Sequence, residues 1–211
     1  MMLADARFPT GGYAQSAGLE PAVRAGLDDV PRFASARLRT AVAVDAGTAV
    51  VSRHVALHTD VATLADVEDA WAARTPSRPL RDAARLTGRG YLRLATRLWP
   101  QVLLHLPPNA ATPRPVVVGV LGAVAGLGAV QVARLVGYDD VQTVASAALK
   151  LLPLDPVEVA GWTLALHEEI DAMAMSVAGL TRPDDIPDPG APALDANAER
   201  HRREEMRLFH V

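Results

Sequence analysis

Residues 115–133, PVVVGVLGAVAGLGAVQVA, run without a charge from Arg114 to Arg134. Such a stretch has to leave water, either in a bilayer, where about 18 to 20 apolar residues make a span, or inside a protein core. Its composition favours the core. It is built from Gly, Ala and Val with just two leucines, it contains Gln131, and no Trp or Tyr flanks it as an interfacial anchor. Gly122 and Gly126 have the spacing that lets packed helices approach closely. A buried central helix is therefore expected over 115–133, with the rest of the chain packed around it.

That expectation agrees with the periodicity elsewhere, which is helical. Asp155-Pro156-Val157-Glu158 reads as a helix start, with a carboxylate cap, proline at the first position and an acid at the third. From it Val159, Trp162, Leu166, Ile170, Met173 and Val177 form a stripe that stops at Gly179. Thr63 with Asp66 starts a helix to Arg74, residues 78–98 make another closed by Trp99-Pro100, and 31–58 read as one long helix with a weak point at Gly47. Asp139 or Asp140 is expected to cap a helix running to Leu152. No segment alternates with the period of a half-buried strand. The fold expected is all-α, a single helical-bundle domain of about seven to eight helices over residues 1–179. Residues 180–198, rich in proline and aspartate, read as a flexible linker without helix, and 199–211 as a C-terminal interaction tail.

Composition narrows the chemistry. There is no cysteine, which removes disulfides, thiolate metal sites and cysteine nucleophiles and fits a cytoplasmic protein. The formal net charge of −3 gives no overall attraction to nucleic acid or acidic membranes. Lys150 is the only lysine among 21 basic residues, and it is followed by Leu151, so no phosphate-binding loop exists despite the glycines at 119, 122, 126 and 128. Nucleotide cofactors are not expected. Ser16, in AQSAG, lacks the first glycine of a nucleophile elbow and the strand that must precede one; it reads as a helix-start cap or a partner contact. His54 with His58, and His167 with Asp171, have a spacing that could share a metal, but six scattered histidines produce such pairs by chance, and neither is taken as a metal site.

Arg81, Arg85, Arg89, Arg93 and Arg97 recur at every fourth position. Each step drifts by about 40° round the axis, so the row winds across the helix surface. It reads as a solvated face neutralised by neighbouring acids, or as a dock for an acidic partner. A nucleic-acid-binding helical protein using residues 81–97 is the alternative reading, and absence of interleaved aromatics counts against it.

The two chain ends together resemble a known family. LADARFPTGGYAQSAGLE is similar to the N-terminal motif of the urease accessory protein UreF family, PVVVGVLGAVAGLG to its central helix, ALKLLPLDP to its Leu-x-Pro-Leu segment, and MRLFHV to its Arg-Leu-aromatic tail. The chain departs from the pattern at Gln15, at Arg114 where histidine is common, at Asp155-Pro156, and at Val211 in place of a terminal serine. The resemblance implies an all-α, non-catalytic chaperone that is homodimeric within its complex and binds neither nucleic acid nor membrane. It implies partners as well: the accessory protein UreD (also called UreH), the GTPase UreG, and the urease apoenzyme, which receives nickel. It further implies that Tyr13 and Arg207 help order the C-terminal segment at the surface that UreD grips, with Gly12, Ser16, Gly18, Glu20, Leu208 and Phe209 beside them. The Gly11-Gly12 pair would bend the chain so that Tyr13 reaches the tail.

Overall fold

The computed structural model describes residues 15–58, 62–202 and 208–209. Every regular element among them is helical: α1 (Leu19–Arg24), α2 (Val30–Leu38), α3 (Ala41–Leu57), α4 (Leu64–Arg74), α5 (Arg78–Leu98), α6 (Arg114–Val124), α7 (Ala129–Leu151), α8 (Pro156–Ala165), α9 (His167–Val177) and α10 (Pro192–His201). Two short 3-10 turns lie at Pro100–Leu104 and Pro183–Asp185. The all-α single domain expected from the sequence is the one observed. No helix among the described residues is long and apolar enough to cross a membrane.

Local chemistry sets the helix starts. Thr63 and Asp66 form a reciprocal capping box, the Thr63 Oγ1 accepting from the Asp66 N–H at 3.2 Å and the Asp66 carboxylate from the Thr63 N–H at 2.8 Å. Asp155 caps α8 by accepting from the Val157 N–H at 2.8 Å, with Pro156 at the first position.

The core is organised around α6, whose Val116, Val117, Val118, Val120 and Leu121 are all buried. It lies against α3 and α5. The approach to α3 is close because Gly119 has no side chain: a Cβ there would collide with the Ala49 carbonyl and come within 2.6 Å of the Ser52 Cβ. Ala46 and Ala49 on α3 keep that contact shallow on the other side. Gly88 lets α5 sit against the Thr112–Arg114 backbone in the same way.

Several helix boundaries differ from those expected. The charge-free run is two helices. α6 ends in a Schellman turn, with Gly126 at φ +72°, the Leu127 N–H donating to the Gly122 carbonyl and the Gly126 N–H to Ala123. Gln131, the polar intruder of that run, opens α7: its Oε1 accepts from the Gly128 N–H at 2.7 Å. Asp139 and Asp140 cap nothing; they sit mid-way along α7 and belong to a part-buried ionic cluster. The 31–58 helix breaks at Arg39–Thr40, not at Gly47, and the 155–179 helix breaks at Leu166.

Residues 180–198 are more regular than a linker without helix. They contain the second 3-10 turn and most of α10, and they pack: Ile186 is buried, and the Arg74 guanidinium donates to the Ile186 and Asp184 carbonyls at 2.8 and 3.0 Å. The Asp195 carboxylate accepts from the Ser77 backbone N–H at the start of α5. These carbonyl and cap contacts join residues far apart in the chain, which is why composition alone did not reveal them.

Gly119→Ala should cost about 1–3 kcal/mol, because the α3–α6 contact must open to admit the methyl group. Gly161 on α8 has nothing within 4 Å of the same position, so Gly161→Ala should be neutral or slightly stabilising. Urea unfolding of the two variants checks both expectations.

Candidate functional site

The described chain ends meet at one buried carboxylate. Ala17 and Gly18 take successive left-handed conformations, φ +52° and +78°, so the backbone turns sharply just ahead of α1. Ser16 closes this turn through its carbonyl, which accepts from the Leu19 N–H at 2.9 Å, while its hydroxyl lies 3.4 Å from the Glu20 N–H. The turn aims Glu20 inward, and Glu20 is 0% exposed. One oxygen accepts from Arg24 at 2.7 Å and from the Leu208 N–H at 2.9 Å; the other accepts from the Phe209 N–H at 3.0 Å.

More contacts hold the tail in place. Phe209 is 4% exposed and belongs to the main hydrophobic core, while the Lys150 ammonium stands 5.1 Å from the centre of its ring. His201, at the end of α10 and 1% exposed, places Nε2 3.4 Å from the Phe209 carbonyl and 3.6 Å from the Glu20 carboxylate. Hydrogen bonds to a charged acceptor contribute about 1.5–3 kcal/mol each, and a buried phenylalanine a similar amount. A short segment at the end of the chain is thus fastened by its backbone to a residue 188 positions away.

Gly12, Tyr13 and Arg207 lie outside the described residues. Of the other candidates, Ser16, Gly18, Glu20 and Phe209 are all buried, and Leu208 alone presents its side chain to solvent, at 61% exposure. Four of the five described motif residues are therefore buried, and one, Leu208, lies at the surface. Sequence reasoning missed Arg24, Lys150 and His201. Only Lys150 carried a hint, as the single lysine at the end of a helix.

Beside the chain ends lies a cavity of about 150 Å³ whose lining includes Gln15, Ala17, Arg37, Trp71, Tyr91, Arg114 and Asp195. Its polar wall is an ionic cluster carried on α2, α3, α6 and α7. Arg37 pairs with Asp140 through two hydrogen bonds of 2.9 and 2.6 Å. Arg114 reaches Asp139 at 2.7 Å and Asp45 at 3.4 Å, while Asp45 accepts from the Trp71 indole at 2.9 Å and Asp139 from the Tyr91 hydroxyl at 3.3 Å. Burial raises the pKa of Asp45 and of Asp139, with Arg114 only partly offsetting it. Burial also works against the Arg114 charge, but Asp139 and then Asp45 outweigh it and hold the guanidinium protonated.

The remaining sequence candidates lie outside this cavity. His54 and His58 stack at the end of α3 with ring centres 4.3 Å apart, and the His58 ring bonds to the His54 carbonyl. Asp171 is taken by Arg134 at 2.7 Å. Among the described residues no three metal-ligating side chains converge. The arginine row divides as its drift requires. Arg81 turns to the Thr75 and Pro76 carbonyls and Arg85 to Glu68 and the face of Trp71, whereas Arg89, Arg93 and Arg97 are exposed.

Replacing Arg114 by Met should destabilise the fold by about 1–3 kcal/mol, below the full cost of breaking a buried pair, because two part-buried carboxylates lose their counter-ion. Asp45→Asn tests the sign of the burial effect. A carboxyl whose native pKa is raised holds its proton longer when folded than when unfolded. Its contribution is therefore full at acid pH and declines as pH rises from about 4 through the raised native value. The wild type should lose stability relative to Asp45→Asn across that window in urea titrations at successive pH values.

Comparison with known proteins finds relatives along nearly the whole chain. The UreF family model matches residues 26–167. Over 99% of this chain and 96% of the relative, the sequence is 38% identical to the urease accessory protein UreF of Mycobacterium sp. (strain JLS). The corresponding protein of Mycolicibacterium vanbaalenii is 36% identical, and that of Mycobacterium marinum 37%, with the same coverage. A family model that spans most of the domain and relatives aligned nearly end to end lead to one conclusion: this chain belongs to the UreF family of urease accessory proteins.

Proposed function

We propose that the chain is a non-catalytic scaffold for nickel-dependent maturation of urease. It joins UreD (UreH) through the surface that its two ends complete, and in that assembly it recruits and regulates the GTPase UreG for nickel delivery to the urease apoenzyme. The observation that carries this reading is the fastening of the Leu208–Phe209 backbone to the buried Glu20 carboxylate. A chain does not ordinarily dedicate a fully buried carboxylate to two peptide N–H groups of its extreme tail unless the placement of that tail matters. Nickel is cargo in this scheme.

Self-association completes the proposal. α8 has one charged residue, Glu158, and turns an apolar stripe outward: Val157 at 78% exposure, Ala160, Gly161 and Leu164 at 69%. A helix apolar on both faces is normally buried, and among the described residues this one packs chiefly against α7 and α9. The stripe borders a cleft lined by Tyr138, Gln142, Leu149, Thr163 and His167. A second copy of the chain covers this face in the proposed homodimer.

Co-expression with UreD and UreG tests the scaffold. The wild type should form a stable complex; removal of residues 199–211 should abolish UreD binding and urease activation while the helical circular dichroism of the bundle persists. Glu20→Gln should weaken UreD binding by at least tenfold, since its amide NH2 would face a backbone N–H at one of the two tail contacts. Trypsin cleavage after Arg202 should accelerate in parallel. An unchanged complex with either variant would remove the tail from the docking surface. Separately, Leu164→Asp should convert a dimeric species into one of 22.3 kDa in sedimentation.

A further inference from the structure

The exposed end of the α5 arginine row is left over by everything described so far. The five arginines start out as one winding stripe, but the structure treats them in two groups. Arg81 and Arg85 are absorbed by backbone carbonyls and by Glu68. The guanidinium groups of Arg89, Arg93 and Arg97 are exposed and have no hydrogen-bond or ion-pair partner among the described residues. The nearby acids are engaged elsewhere: Asp82 with Arg78 at 3.6 Å, Glu68 with Arg85 at 2.9 Å, and Glu199 with Arg202 at 3.7 Å. Three like charges one helical turn apart repel one another, and nothing described in the fold compensates them.

Their setting decides what would. Steps of four residues rise by about 6 Å, so the three charges repeat at the spacing of side chains on a second helix. Exposed leucines flank the row, Leu86 at 46% and Leu98 at 48%, and Leu104 follows in the 3-10 turn. Tyr91, the aromatic residue within this part of α5, is buried and offers no ring for base stacking. The chain as a whole is negative, which disfavours polyanions in bulk. We infer that Arg89, Arg93 and Arg97 dock an amphipathic acidic helix of another protein, with carboxylates one turn apart and an apolar edge against Leu86 and Leu98. This surface is independent of the tail and of the scaffold reading above.

The test uses the full chain and a fluorescent synthetic helix with glutamate at every fourth position and leucines beside them. Controls are an isomer of identical composition but scrambled spacing, a short single-stranded oligonucleotide, and vesicles containing phosphatidylserine. The patterned peptide should bind with an affinity that falls as salt rises. The Arg89→Ala/Arg93→Ala/Arg97→Ala variant should lose about tenfold or more, and Arg78→Ala, which removes an already paired arginine of the same helix, should lose little. Circular dichroism verifies that the triple variant is folded. Equal binding of the scrambled isomer would reduce the row to bulk charge and overturn the inference. So would unchanged binding by the triple variant, or row-dependent binding that favours the oligonucleotide or the vesicles.

Discussion

The contact between α3 and α6 is the constraint on which the other helices depend. This core is made of valine and alanine far more than of large side chains, and aromatic residues are 4% of the chain. Small side chains fill a core only if the backbones come close, and Gly119 against Ala49 is where they do. With α3 and α6 locked together, α5 settles against α6 through Gly88 and α7 against α3, and the apolar faces of all four are sealed.

That close packing also determines where charge can be placed. Asp45 on α3, Arg114 at the start of α6 and Asp139 on α7 are drawn into one cavity wall because their helices converge there. A cluster of this kind costs desolvation energy, so it adds little net stability, but removing one member leaves an uncompensated charge. It links α3, α6 and α7 through Arg114, and α2 to α7 through Arg37. The same cavity touches Gln15 and Ala17 from the N-terminal turn and Asp195 from α10, so the ionic cluster and the meeting of the chain ends share a boundary.

At that boundary Glu20 and Phe209 hold the two described chain ends together. Glu20 spends its acceptor capacity on Arg24 and two peptide N–H groups, and Phe209 fills a place in the core. What the arrangement produces is a defined position for Leu208 and Phe209, which is what the proposed docking surface requires.

The sequence alone determined the helical class, through apolar spacing at 3 and 4 residues and through caps such as Thr63–Asp66 and Asp155–Pro156. These work because they act within one or two turns of chain, where order in sequence is order in space. It also marked the two ends as belonging together, since Ser16, Gly18, Glu20 and Phe209 stand in recognisable motifs. Tertiary structure decided the rest. That Asp139 and Asp140 are members of an ion cluster and not caps follows from the approach of Arg114 and Arg37 from distant segments. Part of the Pro- and Asp-rich stretch becomes helix because Arg74 and Ser77 offer it hydrogen bonds. That Glu20 holds the tail instead of facing a partner depends on a left-handed turn at Ala17–Gly18 and on burial by residues far along the chain. Burial and long-range pairing are properties of the packed molecule, and no local pattern encodes them.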